Sequence, residues 1–279
     1  MIKIVRSDEA EACPELVKIR MDELERVRKE LGRGVELTSA LIGGKYGAAK
    51  QALYEMQHYK CCYCESIQDT HKWNTVEHYR PKTAVACNGK QESGYWWLAW
   101  TWDNLLFSCE ICNHRKGASF PLTKESTRLM AEDAPPGDEE PLLLDPCNGA
   151  EDPREHIQFR PVADSWWPFP RNGSRYGFEM LKALQLFHPE LGKVRAGLLS
   201  KWRRHAKALL PVIARVKDAL RSESAEEIRC AWEAGVIPCL FTNQEFVALS
   251  IDIFDHAFDA EVRDRWGLKL EPLPCPLSR

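Results

Sequence analysis

The sequence has no long apolar run. Its longest apolar stretch covers six residues, Tyr95 to Trp100, whereas a helix needs roughly 20 apolar residues to cross a bilayer. An amino-terminal apolar segment with basic flanks is also missing, so we expect a cytoplasmic protein that does not enter a membrane. The chain contains neither internal repeats nor low-complexity tracts, which argues against solenoid and disordered proteins. With 279 residues, 44% of them hydrophobic, it can bury a sizeable core in one or two domains.

A strong excess of charge is missing as well. The formal net charge is -3, and this sum does not indicate a nucleic-acid-binding protein, because such domains are commonly basic. The distribution is more informative than the sum. Residues 131–155 carry nine acidic side chains against Arg154 alone, and residues 193–221 carry nine Lys and Arg against Asp218 alone. The carboxy-terminal half therefore offers a basic helical face for DNA contacts.

Cysteine is abundant, with 11 residues. We expect metal binding more than disulfides, because the cytoplasm keeps thiols reduced. Two Cys-x-x-Cys pairs can together present four thiolates, which is the tetrahedral shell that structural zinc prefers. The sequence therefore predicts a structural zinc site formed by Cys61, Cys64, Cys109 and Cys112.

The other seven cysteines have weaker context. Cys62 lies inside the first pair and could replace a neighbour as ligand. The remaining six have no spaced partner and are interpreted as small buried hydrophobic residues: Cys13, Cys87, Cys147, Cys230, Cys239 and Cys275. A redox role for the first pair is disfavoured, because the surrounding βαβ pattern of redox motifs is missing.

The 44 residues between Cys64 and Cys109 exceed the usual zinc-ribbon spacing, so this insert should contain structure of its own. It holds Glu77-His78 and Asn104, and Asn113 follows the second pair. Taken singly, each has a structural explanation, such as a turn for Asn104. Their order inside a double Cys pair is the informative feature.

This order resembles the HNH endonucleases, which have a ββα-metal site. Their pattern is an acidic residue and His at the end of one strand, an Asn opening the second strand, and a helix carrying a final His or Asn. The chain departs from it twice, because Glu77 stands where Asp is commoner and Asn113 where the last His would be. The resemblance implies an α+β, mainly helical fold in which a zinc-stapled HNH module is flanked by amino-terminal helices and a carboxy-terminal helical region.

The resemblance also implies roles for individual residues. His78 would take the proton of the attacking water, and Asn104 would orient the loop or the His78 ring. Glu77 and Asn113 would hold one catalytic divalent ion, Mg²⁺ or Mn²⁺, through hard oxygen ligands. Arg115 and Lys116, on the helix beside the ion, are candidates for phosphate contacts, and His114 is near enough to replace a ligand. The other histidines are interpreted as structural: His58, His71, His156, His188, His205 and His256.

A closer resemblance is to the HNH subunits of Septu-type and retron-associated anti-phage systems. It covers roughly residues 48–200 and includes the segments 143–147 and 157–160. It implies DNA as substrate, with RNA possible, and an ABC-like ATPase as partner. The alternative is a zinc-stapled, non-catalytic module that binds nucleic acid or acts as an adaptor.

Periodicity and turn residues predict the elements around this module. We expect helices over 14–32 and 48–59, strands over 75–79 and 105–108, a loop over 82–94 with an Asn88-Gly89 turn, and a helix over 111–116. The aromatic residues from Tyr95 to Trp102 are interpreted as core, in preference to base stacking.

The acidic, Pro-rich segment 123–140 is the predicted boundary between domains 1–130 and 141–279. Beyond it we expect extended segments at 142–146 and 157–160 and an irregular aromatic patch at 166–170. Helices are predicted over 177–187, 190–221, 224–234 and 243–259, the last capped by Thr242 or Asn243. The apolar residues of the second of these helices either pack within the domain or dock on the ATPase.

Overall fold

The computed structural model of the protein describes residues 1–71, 74–87, 90–149, 151–186 and 196–275, without the side chain of Cys87. The fold is α+β and mainly helical, as the sequence predicted. The chain divides into an N-terminal unit, Ile4–Tyr63 with Ile67–Ala150, and a C-terminal unit, Met1–Lys3 with Cys64–Ser66 and Glu151–Arg279. No helix in the described parts combines the length and apolarity that a membrane span requires.

The division between the units differs from the predicted boundary at 130–141. The acidic segment before residue 140 is anchored in the N-terminal unit, because the buried carboxylate of Glu139 binds Arg80 at 2.9 Å and accepts a hydrogen bond from Tyr95 at 2.6 Å. A composition rich in Pro and acidic residues therefore does not mark a linker here.

Four helices open the N-terminal unit: α1 (Glu9–Ala12), α2 (Pro14–Gly32), α3 (Ser39–Ile42) and α4 (Lys50–Met56). The prediction for α2 is confirmed; it buries Leu16 and Val27, and it has Pro14 in its first turn, where a missing N–H is tolerated. The predicted helix 48–59 is wrong at both ends. A 3-10 turn, Lys45–Ala49, precedes α4, and positive φ angles at His58 and Tyr59 prevent the helix from continuing.

The centre of the N-terminal unit is a small antiparallel sheet. Strand β1 (Thr75–His78) pairs with β4 (Leu105–Ser108), so that Glu77 lies opposite Leu106 and His78 opposite Leu105. Helix α5 (Glu110–Lys116) follows β4 directly and packs against β1. These three elements were predicted from the sequence to within one residue.

The segment between β1 and β4 contains more structure than predicted. Residues 82–94 include a hairpin of β2 (Ala84–Cys87) and β3 (Lys90–Ser93), so the prediction of a loop is wrong. The predicted turn at Asn88-Gly89 lies outside the described residues. The aromatic residues that follow are core, as predicted, because all five are at most 9% exposed: Tyr95, Trp96, Trp97, Trp100 and Trp102.

In the C-terminal unit, β5 (Ile157–Val162) and β6 (Ser165–Pro170) form an antiparallel hairpin. The strand predicted at 157–160 is confirmed and longer. The prediction of an irregular patch at 166–170 is wrong, because Trp167 pairs with Arg160 and turns its ring into the core. The backbone pairing is kept despite Pro168 and Pro170, which an edge strand tolerates.

In its described residues, the C-terminal unit also contains five α-helices: α6 (Arg175–Ala183), α7 (Ala196–Ser222), α8 (Ala225–Gly235), α9 (Val247–Ala257) and α10 (Ala260–Trp266). The predicted start of α7 at residue 190, with His188 and Lys193, lies outside the described residues. Helix α9 begins later than predicted, and its N-cap is Phe246 in a left-handed conformation instead of Thr242 or Asn243.

Helix α7 packs against α8, α9 and β6 within its own unit. Its side chains Leu198, Trp202, Leu209 and Val216 are buried there. Packing within the domain therefore accounts for these four residues, while Leu199, Val212 and Ile213 are half-buried and Leu210 is 59% exposed.

Candidate functional site

The four cysteines of the two Cys-x-x-Cys pairs come together. The sulfur atoms of Cys61, Cys64, Cys109 and Cys112 all lie within 4.8 Å of one another, and all four residues are buried. A tetrahedral zinc ion with Zn–S bonds of about 2.3 Å separates its sulfurs by about 3.8 Å. The donor set therefore fits a metal ion such as zinc, and the predicted ligands are grouped as expected.

Cys62 is not part of this cluster. Burial raises the pKa of its thiol to about 11. Its backbone N–H donates to Phe107 O at 3.1 Å, which ties the first Cys pair to β4. Cys62 thus contributes to the backbone frame around the cluster.

Glu77 lies on β1 and is 3% exposed. Its Oε1 is 2.7 Å from Nζ of Lys116 and also accepts a hydrogen bond from the hydroxyl of Tyr63 at 3.3 Å. Burial raises the pKa of the Glu77 carboxyl, and the Lys116 ammonium opposes that shift. Lys116 is itself buried and also donates to the backbone oxygen of His78 at 2.9 Å. The Glu77 carboxylate therefore forms a buried ion pair with Lys116.

His78 follows on the same strand and is 5% exposed. Its Nε2 lies 3.0 Å from Ala99 O. Because a carbonyl oxygen can only accept, Nε2 carries the proton in this bond, and Nδ1 bears the lone pair. Burial lowers the pKa of His78 well below its ordinary value, and the nearby cation of Lys82 lowers it further. The ring is thus a neutral imidazole with one defined tautomer.

Asn104 fixes the backbone that follows His78. Its Oδ1 accepts from Arg80 N at 2.7 Å, and its Nδ2 donates to Arg80 O at 3.1 Å and to Leu98 O at 3.2 Å. Its own backbone oxygen accepts from Tyr79 N at 2.9 Å. The side chain is 3% exposed, and its position is compatible with the orienting role predicted for it.

Helix α5 brings Lys116, and not Asn113, to Glu77. The amide nitrogen of Asn113 donates to Thr75 Oγ1 at 2.5 Å. Thr75 and Glu77 face the same side of β1, about 7 Å apart along the strand. One helical turn after Asn113, Lys116 reaches Glu77. Oε1 of Glu77 therefore lies against the ammonium of Lys116, and the binding of a catalytic divalent ion by Glu77 and Asn113 stays a prediction.

The predicted phosphate contacts differ in exposure. Arg115 is half-buried, and Lys116 is only 2% exposed, with its ammonium engaged by Glu77 and by the His78 carbonyl. Contacts of these residues with a substrate phosphate stay a prediction. His114 is exposed on the same helix.

Two residues beside His78 were missed in the sequence. The ring of Tyr46 meets the His78 ring edge-on, with centroids 4.6 Å apart, and Lys82 places its Nζ 5.0 Å from the centroid of Tyr46. Tyr46 belongs to a segment with loop composition, and nothing in the sequence indicated that its ring would contact His78. Lys82 could have been found in the sequence, because it is a cation that follows Pro81 only four residues after His78.

Comparison with curated proteins finds relatives of this chain. Septu protein PtuB of Bacillus mycoides (strain KBAB4) is 35% identical over 187 residues, which are 65% of this chain and 61% of that protein. The chain is a relative of Septu protein PtuB. A second Septu protein PtuB, from Bacillus thuringiensis, is 41% identical over 69 residues, or 24% of this chain and 23% of that protein.

The resemblance to Septu-type proteins inferred from the sequence is thereby confirmed. The matched region spans less than two thirds of each Septu protein PtuB, 61% and 23%. No protein-family model matches the chain, and no solved structure matches it significantly.

Proposed function

We propose that the protein is an HNH-type endonuclease that hydrolyses phosphodiester bonds of DNA and serves as the effector of an anti-phage defence complex with an ATPase. The observation that carries this proposal is the arrangement of β1, β4 and α5. It holds a neutral, oriented His78 next to Glu77, with Asn104 clamping the chain behind them. The similarity to Septu protein PtuB supports the defence context.

The proposed chemistry begins with the proton of the attacking water. His78 donates through Nε2 to Ala99 O, so the lone pair of Nδ1 is the group that accepts this proton. Asn104 prevents the loop after His78 from shifting, because its amide satisfies both backbone groups of Arg80. A fixed base lowers the entropy that must be lost on reaching the transition state.

A second candidate function is a zinc-stapled adaptor without catalytic activity. One observation favours it: Glu77, His78 and Lys116 are each at most 5% exposed and have partners within the protein. Buried polar groups with satisfied hydrogen bonds are commonly structural. In this role the triplet would only join β1 to α5.

Nicking of supercoiled plasmid DNA separates the two candidates. The unmodified protein, His78→Ala and His256→Ala are incubated with Mg²⁺, with Mn²⁺ and without added divalent ion, and an RNA substrate is tested in parallel. His256 is an exposed histidine of the C-terminal unit and controls for the loss of an imidazole. We expect nicking by the unmodified protein and by His256→Ala only. Nicking by His78→Ala at the unmodified rate, with its zinc content and circular dichroism unchanged, would refute the nuclease proposal.

The charge balance around the site supports a need for a partner. Residues 61–128 carry eight Lys and Arg against seven Asp and Glu, which is too small an excess to hold a duplex tightly at physiological salt by counterion release. We propose that an ABC-like ATPase supplies the missing affinity and regulates cleavage.

Size-exclusion chromatography after co-expression with a neighbouring ATPase gene tests this part. A stable complex and weak activity of the isolated protein are expected. Separate elution at micromolar concentration, together with full activity of the isolated protein, would contradict the partner.

A further inference from the structure

The cations around His78 differ in what balances them. Lys116 is paired with Glu77 at 2.7 Å, and Arg80 is paired with Glu139 at 2.9 Å. Lys82 is different, because no carboxylate of the described residues lies within ion-pair distance of its ammonium. The charge of Lys82 is therefore in excess at this place in the N-terminal unit.

Lys82 is held on the same aromatic ring that supports His78. Its Nζ lies 5.0 Å from the centroid of the Tyr46 ring, and the edge-on contact between Tyr46 and His78 brings their centroids to 4.6 Å. Both Tyr46 and Lys82 are half-buried. The negative face of the tyrosine ring attracts the ammonium, which positions the cation but does not neutralise its charge.

The charges of the neighbouring groups also leave the ammonium of Lys82 unbalanced. Burial lowers the pKa of the Lys82 ammonium, and the Glu77 carboxylate opposes this shift. Glu77 is already paired with Lys116, and His78 is neutral. The cluster of Glu77, His78, Lys82 and Lys116 therefore holds one positive charge more than its carboxylate can balance. A half-buried, unbalanced cation is stabilised by an anion from outside the protein.

We infer that Lys82, seated on Tyr46 beside His78, is the residue that binds the scissile phosphate of the substrate. This inference rests on the proposed function. In the reaction, the water oxygen forms a bond to phosphorus, its proton passes to Nδ1 of His78, and the bond from phosphorus to the 3′ oxygen breaks. The leaving oxygen takes a proton from solvent. Lys82 stabilises the negative charge on a non-bridging oxygen during this exchange.

The experiment compares Lys82→Met and Lys82→Arg with Lys90→Met. Lys90 lies on β3, shortly after Lys82 in the chain, and its side chain is exposed. Binding of a short fluorescent DNA duplex is measured by anisotropy over a range of low salt concentrations in a His78→Ala background, which prevents cleavage. Plasmid nicking is measured with His78 intact.

Binding is plotted as the logarithm of the association constant against the logarithm of the salt concentration. We expect the slope of this plot to be less steep by about 0.9 for Lys82→Met, which is the value of one phosphate contact. Nicking should fall on the order of 100-fold, as for the loss of one charge-stabilising donor. Lys82→Arg should retain the slope, because it keeps the charge, and should recover part of the rate. Lys90→Met should behave like its parent protein in both assays.

Three outcomes would overturn the inference: a Lys82→Met protein with the slope and rate of its parent, an equal loss in Lys90→Met, or no DNA binding by the parent at low salt. The nuclease proposal fails separately. If the unmodified protein binds DNA but cuts no substrate, the assignment of Lys82 is still decided by the slope of Lys82→Met.

Discussion

The buried ion pair of Glu77 and Lys116 gives the sharpest test of how the site is held together. The two atoms are 2.7 Å apart, and both side chains are at most 4% exposed. Replacing Lys116 with methionine keeps most of the length of the side chain and removes its charge. We expect a large loss of stability, because Glu77 then remains buried without its counter-ion.

The magnitude follows from geometry and burial. At an effective dielectric constant of about 20, two unit charges at this separation attract by about 6 kcal/mol, and part of this is offset by desolvation. Removing one partner of a buried pair costs about 3–5 kcal/mol. The backbone oxygen of His78 also loses its 2.9 Å bond. We expect a loss of about 4 kcal/mol, or a fall in Tm of about 10 °C at roughly 2–4 °C per kcal/mol.

Urea denaturation followed by tryptophan fluorescence measures this effect. The double variant Glu77→Gln/Lys116→Met should recover at least about 2 kcal/mol, because a neutral pair leaves no buried charge. Arg33→Met serves as the control. It breaks an ion pair of 2.8 Å with Glu30 in which the arginine is 59% exposed, and we expect a loss below about 0.5 kcal/mol.

The deficit of Lys116→Met should also depend on pH. Burial raises the pKa of Glu77, and losing Lys116 removes the main opposing influence. The carboxyl group should then be protonated at mildly acidic pH, so the difference from the unmodified protein should shrink as pH falls. Unchanged stability of Lys116→Met at neutral pH, or a double variant as unstable as the sum of both single variants, would refute this account of the site.

Three further predictions follow from other contacts. Cys109→Ser should lose the bound metal and unfold the zinc-stapled part of the N-terminal unit, since zinc contributes on the order of 10 kcal/mol of apparent stability in small zinc domains; metal analysis showing undiminished zinc, with a native Tm, would contradict this. Asn104→Ala leaves the backbone groups of Arg80 without their side-chain partners and should destabilise the fold by about 1–3 kcal/mol, measured by urea denaturation and accompanied by loss of nicking; an unchanged nicking rate would argue against its orienting role. Burial lowers the pKa of His78 below its ordinary 6.5, so below that pH the unfolded imidazole binds a proton that the folded one does not. Relative to His78→Asn, the stability of the unmodified protein should therefore fall by up to about 1.4 kcal/mol per pH unit below 6.5, and parallel pH profiles of the two proteins would contradict this shift.

Local patterns predicted the elements that frame the site. The bounds of α2 follow from apolar spacing and from Pro14 and Gly32 at its ends, and β4 is a short apolar run directly before the second Cys pair. The zinc-type cluster was predictable because Cys-x-x-Cys geometry is itself local, so that only the meeting of two pairs had to be inferred. The aromatic core was predictable because such large apolar side chains are rarely left in water.

Contacts between distant residues were not predictable in the same way. The charge of Lys116 indicated a phosphate contact. Its ion pair with Glu77 depends on how α5 packs against β1, which the sequence does not show. Tyr46 reaches His78 from a segment with loop composition. The start of α9 was missed because Phe246 adopts a left-handed conformation, which is uncommon for phenylalanine and is not predicted by its residue type.

The charge remaining at Lys82 bears on the choice between the two candidate functions. Burial of His78 and the ion pair of Glu77 with Lys116 are the features that favour an adaptor, but a nuclease also needs a stable frame. A purely structural module gains nothing from a half-buried ammonium that no carboxylate of the described residues balances, since such burial is unfavourable. A site that receives a phosphodiester gains from it directly, because the incoming anion supplies the missing charge. The unbalanced cation beside His78 therefore favours the nuclease over the adaptor.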